Sequence, residues 1–226
     1  MMSEEEVKKR ETHQDRVYKE NKKQQEHLLE FHGRKILVTK NVFAFAHWES
    51  NLLAQTVLNE VRAEDKVLDM GTGSGVQAIM AASRSRDITA VDINPEAVEC
   101  AKENVERNNL ASKIKVFESD LFENVKGKFD LIIFDPPFRW TKPRDMLERA
   151  TADEGYKTLT LFFEQVSNFL NENGRILMHF GTSADLDYFR YLAKKNNLKM
   201  KRVLKERNED VGYEYFTFRL EKRIRL

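Results

Sequence analysis

The chain has 226 residues, of which 41% are hydrophobic and 33% charged, and its formal net charge is +1. This balance fits one large globular domain, or one domain with an appendage, and excludes a fibrous or disordered chain. There is no run of eighteen apolar residues, no signal-peptide core and only one cysteine, Cys100. We therefore predict a cytoplasmic protein with no membrane span and no disulfide framework.

The charge is distributed unevenly along the chain. Residues 194–226 contain eleven Lys and Arg against five Asp and Glu, so the C-terminal end is basic. Such an end can steer a polyanion onto one face of the molecule. It can equally consist of the outward-facing residues of the last strands and helices, and the sequence leaves both interpretations open.

The N-terminal 34 residues differ in composition from the rest. Residues 3–31 are dense in Glu, Lys, Gln and Arg, and their apolar stripe is too thin to bury a full helix face. We predict a charged helical arm over residues 1–34 and a main domain over residues 35–226. Short strands are expected at Lys35–Thr39 and Val42–Phe45, and Ser50 is expected to cap a helix over residues 51–61.

From Lys66 onward, short apolar segments alternate with amphipathic helical segments. This pattern predicts an α/β fold with a mostly parallel sheet covered by helices on both faces. The segment "NEDVG" reads as a hairpin loop, which makes the last strand antiparallel. The predicted strands are "KVLDM", "ITAVDI", "IKVFES", "FDLIIF", "GRILMHF", "KMKRVLKER" and "YEYFTFRL".

A glycine-rich turn follows the first of these strands. In "VLDMGTGSG" glycines stand at positions 71, 73 and 75, and Asp69 lies two residues before the first. Glycine lets the backbone turn sharply and approach a ligand closely, although a plain tight turn would have the same composition. The third glycine comes four residues after the first, not five as in a dinucleotide-binding fingerprint.

Acidic residues follow the next two strands. Asp92 closes "ITAVDI", where a carboxylate can accept the hydroxyls of a ribose. Asp120 follows "IKVFES", where it could meet an adenine amino group with Leu121 against the ring. Either acid alone could be a helix cap or a solvated loop residue. Their succession at neighbouring strand ends favours a nucleoside-like ligand.

The fourth strand ends in Asp135-Pro136-Pro137-Phe138. A carboxylate and a backbone carbonyl held by two prolines can grip the N–H bonds of an amine whose lone pair is delocalised. Phe138 can stack on a flat substrate, and Trp140 can add a second wall. The alternative is a rigid turn at a strand end, with Phe138 in the core.

These segments resemble the consecutive motifs of the class I S-adenosylmethionine-dependent methyltransferases, and more narrowly the "methyltransferase small domain" group. The resemblance covers residues 35–220 and implies a Rossmann-like, seven-stranded sheet with a reversed last strand. It implies that S-adenosylmethionine is the cofactor. The residues it assigns to cofactor binding are Asp69, Gly71, Thr72, Gly73, Gly75, Asp92, Ile93, Asp120 and Leu121. The residues it assigns to catalysis are Asp135, Pro136, Pro137 and Phe138.

The segment Asp135-Pro136-Pro137-Phe138, which we call the acceptor motif, indicates the class of substrate. The glutamine methyltransferases that act on release factors carry Asn-Pro-Pro-Tyr, whereas Asp-Pro-Pro-Phe looks more like ribosomal RNA guanine-N2 methyltransferases or adenine-N6 enzymes. RNA would also suit the basic C-terminal end. We therefore expect RNA as the substrate. A protein glutamine, a small molecule and a non-catalytic cofactor-binding scaffold remain alternatives.

A few other side chains deserve an expectation. His47 and Trp48 could border the pocket, and His179 is expected to be a core histidine with its hydrogen bonds satisfied. His, Cys and acidic residues show no metal-ligand spacing, so no metal is expected. Three cations after the acceptor motif could contact phosphate or form a solvated loop: Arg139, Lys142 and Arg144.

Overall fold

The computed structural model describes the backbone of residues 4–43 and 47–223, and the side chains of residues 7–43 and 50–223. The strands are β1 (His27–Phe31), β2 (Arg34–Val38), β3 (Lys66–Met70), β4 (Asp87–Asp92), β5 (Ile114–Glu118), β6 (Phe129–Phe134), β7 (Leu170–Gly181), β8 (Leu198–Asn208) and β9 (Tyr213–Lys222). The helices are α1 (Glu4–Lys23), α2 (His47–Glu60), α3 (Val76–Ala81), α4 (Pro95–Arg107), α5 (Met146–Arg149), α6 (Lys157–Phe169) and α7 (Leu186–Lys195).

Strands β3 to β9 form one seven-stranded sheet in the order β5-β4-β3-β6-β7-β9-β8. Strands β3 to β7 pair in parallel, and β9 runs antiparallel to both of its neighbours. The predicted α/β fold with a reversed last strand is confirmed. The strand order changes direction between β3 and β6, which is where open α/β sheets bind ligands at the carboxyl ends of their strands.

Alternate residues of each strand feed two apolar layers on opposite faces of the sheet. Leu131 and Ile133 of β6 join α2, α3 and the β1–β2 hairpin in one layer. Ile132 and Phe134 join α6 and α7 in the other. Both faces of the central strands are therefore buried, which explains why their sequence is continuously apolar.

The region before β3 departs from prediction in three respects. β1, which we had assigned to the arm, pairs antiparallel with β2 through a turn at His32 and Gly33, both at positive φ. Val42 and Phe43 lie outside any strand, and the rest of that predicted strand lies outside the described residues. Helix α2 begins at His47, so Ser50 sits within its first turn and is not its cap. The division of the chain after residue 34 stays a prediction.

Across residues 4–43 and 47–223, no helix combines the length and the apolar character needed to cross a membrane.

Candidate active site

Asp69 organises the loop after β3 from the buried side of that loop, away from the ligand cavity described below. The Asp69 carboxylate is 2% exposed, accepts a hydrogen bond from Thr72 Oγ1 at 2.6 Å and accepts another from the Ala78 amide at 3.0 Å. Burial raises its pKa to about 7, although these two hydrogen bonds oppose the shift. Asp69 therefore ties the loop to the first turn of α3.

Three glycines of the loop have left-handed backbone conformations, but they serve different purposes. Gly71 and Gly73 have φ values of 66° and 56°, and a Cβ at Gly73 would meet nothing within 4 Å. Gly75 has φ 83° and precedes α3, where a Cβ would come within 3.2 Å of Ala101 on α4. The first two glycines expose backbone, whereas Gly75 lets two helices pack closely.

Asp92 ends β4 and faces the loop. Its Oδ2 accepts a hydrogen bond from the Gly73 amide at 2.8 Å, and its Oδ1 accepts one from the Asn94 amide at 2.9 Å. Burial raises its pKa, and these amides act in the opposite direction. Each carboxylate oxygen has further lone-pair capacity, so Asp92 can still accept hydrogen bonds from a ligand.

Asp120 and Leu121, which follow β5, differ in their exposure to solvent. The Asp120 side chain is 51% exposed, and its carboxylate lies 3.5 Å from Arg149 of α5. Leu121 is 8% exposed and has a positive φ of 46°, and its carbonyl accepts a hydrogen bond from Ser119 Oγ. Leu121 thus offers an apolar wall, while Asp120 and Arg149 form a polar rim.

The acceptor motif directly continues β6. Asp135 is partly buried, whereas the Phe138 ring is 7% exposed and packs 5.5 Å from the Phe180 ring. The Arg139 guanidinium lies 5.3 Å from the centre of the Phe138 ring. Phe138 is therefore largely a core residue, and little of its ring remains for a substrate. Trp140 packs against the core and under Arg10, not along the cavity, so our expectation of a second wall is wrong.

One cavity of about 600 Å³ joins the glycine loop, the strand-end acids and the acceptor motif. The predicted residues that line it are Gly71, Thr72, Gly73, Asp92, Ile93, Asp120, Leu121, Asp135, Pro136, Pro137 and Phe138. Asp69 and Gly75 are not among them, because both lie behind the loop. In the part of the chain that the structure describes, no group of three or more His, Cys, Asp and Glu side chains could hold a metal ion.

Sequence reasoning missed a whole side of this cavity. Helix α1 contributes His13, Val17, Glu20 and Asn21, and the segment around α5 contributes Met146, Leu147 and Arg149. The helix residues are separated by four, three and one positions, which places them on one helix face. Three of them are polar, so a search for apolar periodicity passes over them.

The remaining expectations have mixed outcomes. Arg144 is ion-paired with Asp15 and Glu148, each at 2.7 Å, so it belongs to a network and not to a solvated loop. His179 is buried, but neither ring nitrogen has a hydrogen-bond partner, so it is not a satisfied core histidine. The side chains of His47 and Trp48 lie outside the described ones.

The chain is similar to several known proteins and matches a protein-family model. Residues 33–209 match the family model "Methyltransferase small domain". A relative from Methanocaldococcus jannaschii, "Putative protein N5-glutamine methyltransferase", is 36% identical over 154 residues, covering 65% of this chain and 76% of its own length. "Ribosomal RNA small subunit methyltransferase C" of Haemophilus influenzae is 34% identical over 139 residues, covering 60% of this chain and 38% of its own length.

Among solved structures, the T. thermophilus 16S rRNA N2 methyltransferase in complex with AdoMet and guanosine superposes with a TM-score of 0.65 at 20% identity. The match covers 88% of this chain and 50% of that one, so this chain spans only part of several of its relatives. At this identity the superposition establishes the fold. Together with the family match, these findings show that the chain belongs to the methyltransferase small domain family of S-adenosylmethionine-dependent enzymes.

Proposed function

We propose that the protein transfers a methyl group to an exocyclic amino group of a base in RNA, with guanine N2 as the first candidate and adenine N6 as the second. The observation that carries this proposal is the single cavity that joins Asp135-Pro136-Pro137-Phe138 to the glycine loop and Asp92. A donor and a planar amine can be held together only where both sets of residues face the same space.

The residues present fit the cofactor. Gly71 and Gly73 line the cavity without a Cβ, so a ligand can come close to the loop backbone there. Asp92 can accept the ribose hydroxyls, and Leu121 can lie against the adenine. S-adenosylmethionine supplies a methyl group that its sulfonium has already activated. Asp69 and Gly75 support the loop from behind and act on the cofactor only through it.

The acceptor side is suited to a weak nucleophile. The lone pair of an amino group on a base is delocalised into the ring, so the amine must be oriented and not merely bound. The Asp135 carboxylate and the Pro136 carbonyl can accept the two N–H bonds, and fixed φ at Pro136 and Pro137 holds these acceptors still. Asp135 can then accept the proton that the amine releases after methylation.

The test is transfer of tritiated methyl from S-adenosylmethionine to total RNA and total protein from a strain that lacks the gene. We expect label in the RNA pool. Asp135→Ala should lower the rate by about 100-fold or more, because it removes an acceptor that acts in the transition state. The dissociation constant for S-adenosylmethionine should stay within about twofold of the wild-type value, because Asp135 is proposed to contact the acceptor amine and not the cofactor.

Asp135→Asn is the matched control, because it keeps the shape of the side chain and one acceptor oxygen. Its methyl-transfer rate should fall between those of the wild type and Asp135→Ala. Label confined to protein would contradict the RNA assignment. An Asp135→Ala rate equal to that of the wild type would contradict catalysis at this motif and would favour a scaffold role.

A second candidate is a glutamine side chain of a protein. It is favoured by the M. jannaschii relative, which matches this chain over 76% of its own length. An amide nitrogen presents the same planar N–H pair to Asp135 and Pro136. Recovery of labelled methylglutamine from the protein pool, without label in RNA, would establish this candidate over the first.

A further inference from the structure

Helix α1 is fastened to the segment that follows the acceptor motif by a set of contacts that we call the α1 clamp. It comprises Gln14, Asp15, Tyr18 and Lys22 of the helix and Arg144, Asp145, Glu148 and Thr151 of the segment. Gln14 Nε2 donates hydrogen bonds to Glu148 Oε1 at 3.0 Å and to Thr151 Oγ1 at 3.1 Å. One turn later the Tyr18 hydroxyl donates to Asp145 Oδ2 at 2.8 Å. The clamp thus joins two distant parts of the chain.

The clamp is well built at its centre. Gln14 and Glu148 are each only 4% exposed, and Arg144 lies 2.7 Å from both Glu148 and Asp15. The Arg144 guanidinium also lies 3.7 Å from the centre of the Tyr18 ring. Gln14 Nε2 and both carboxylate oxygens of Glu148 have hydrogen-bond partners, whereas Gln14 Oε1 has none among the described residues. These buried contacts hold the helix against residues 144–151, so α1 is not a solvated arm.

The helix face next to the clamp borders the cavity. His13, Val17 and Asn21 are partly buried, Glu20 is exposed, and all four line it. Three of the clamp residues follow them by one position, so the two faces are adjacent on the helix. Holding the clamp face against residues 144–151 therefore holds the other face over the cavity.

The N-terminal half of α1 lies at the acceptor end of the cavity. Arg10 donates a hydrogen bond to the Ala184 carbonyl at 3.0 Å and lies 5.7 Å from the centre of the Trp140 ring. One turn later the His13 ring lies 5.5 Å from the Tyr213 ring. Burial, and then the charges of Arg139 and Arg16, lower the pKa of His13 to about 4, so its imidazole is neutral at physiological pH.

We infer that α1 is the acceptor-side wall of the active site and that His13 sets the size of the flat amino-bearing group that reaches Asp135. This inference rests on the proposed function. The wall is neutral at His13 and Val17, and Glu20, the acid that α1 contributes to the lining, lies about two turns beyond His13. The end of the wall near His13 therefore suits an uncharged base or amide better than a charged amine. His13 is a specificity-determining residue and takes no part in the chemistry.

The test compares His13→Trp, which fills the acceptor end, with Glu11→Trp, which adds the same ring to an exposed position of the same helix. With the acceptor pool that the wild type labels, His13→Trp should lower kcat/KM for the acceptor by about tenfold or more. The dissociation constant for S-adenosylmethionine should remain within about twofold of the wild-type value. His13→Ala should mainly raise the acceptor KM.

The outcomes separate the two proposals. If the wild type labels only the protein pool, the RNA assignment is wrong, but the comparison of the two Trp variants remains valid. Equal acceptor kinetics in His13→Trp and Glu11→Trp would overturn the wall, as would an equal loss of acceptor and cofactor binding in His13→Trp. If the wild type labels neither pool, the proposed function is lost and thiol labelling decides the wall. His13→Cys should then react with a maleimide about tenfold more slowly than Glu11→Cys, because position 13 is partly buried and position 11 is exposed. Cys100 is buried and adds little background reaction. Equal rates at the two positions would overturn the wall.

Discussion

At the scale of single residues, His179 combines burial with unmet polar groups. It is 1% exposed on β7, and the residue before it, Met178, pairs with Phe134, so His179 stands level with Asp135. Its ring lies parallel to the Tyr215 ring at 5.8 Å, and neither of its nitrogens has a hydrogen-bond partner. Burial lowers its pKa to about 4, so the ring is neutral at pH 7. Buried polar atoms without partners reduce stability.

We therefore expect His179→Phe to stabilise the protein. The substitution keeps a flat ring against Tyr215 and removes two unpaired polar atoms, which should raise the free energy of unfolding by about 1–2 kcal/mol at pH 8. The gain should grow as the pH falls from 6.5 toward 4. In that range the unfolded wild-type chain binds a proton at His179 and the folded chain does not, so the wild type loses stability.

Urea denaturation at pH 8 and pH 5 measures both effects. His179→Ala is the control, because it also removes the polar atoms but leaves a cavity and should lower the free energy of unfolding. If His179→Phe were less stable than the wild type at both pH values, the nitrogens would have partners in solution that the structure does not show.

At the scale of elements, the α1 clamp depends on carboxylates that stay ionised. Burial would raise the pKa of Asp145, but hydrogen bonds from Lys22, the Glu148 amide and Tyr18 outweigh it and lower the pKa to about 2. Glu148 behaves similarly, since hydrogen bonds from Arg144 outweigh burial and lower its pKa. The stabilisation from these groups is present above their unfolded pKa values and is lost as the pH falls through the folded ones.

Acid should therefore release α1 before it unfolds the core. As the pH falls from about 4.5 toward about 2, the clamp carboxylates take up protons and their hydrogen bonds weaken. Hydrogen exchange followed by mass spectrometry, corrected for the intrinsic effect of pH, should show loss of protection in α1 at a higher pH than in α6. Asp145→Asn should show partial loss already at pH 7. Simultaneous loss in both helices would show that the clamp is not a separate unit.

The same element shows where prediction from sequence stops. Strands β3 to β9 were predictable because each is a short apolar segment between turn signals, and Asp92 and Asp135 were predictable because they end such strands. The seat of α1 was not, because it depends on hydrogen bonds such as Gln14 to Glu148, which are 134 positions apart. Asp69 was placed at the right loop, but no pattern indicates that it lies behind that loop.

At the scale of the whole molecule, binding and stability use opposite edges of the sheet. The cavity lies at the carboxyl ends of β3, β4 and β6, whereas Arg175 lies level with the start of β6, at the amino edge. Arg175 is 3% exposed, and its guanidinium nitrogens lie 3.0 Å and 2.7 Å from the two carboxylate oxygens of Asp65. It also donates a hydrogen bond to the Glu60 carbonyl. This buried pair joins β7 to the end of α2 and the turn before β3.

We expect Arg175→Met to destabilise the fold without weakening cofactor binding. Removing the guanidinium leaves the buried Asp65 carboxylate without its cation, although the Arg62 amide still donates a hydrogen bond to it. This loss should lower the free energy of unfolding by about 3–5 kcal/mol. The double variant Arg175→Met with Asp65→Asn should lose less, because no uncompensated charge remains. Titration calorimetry at a temperature well below the unfolding transition should give a dissociation constant for S-adenosylmethionine within about twofold of the wild-type value in both variants. Weaker cofactor binding by the folded Arg175→Met protein would show instead that the two edges of the sheet are coupled.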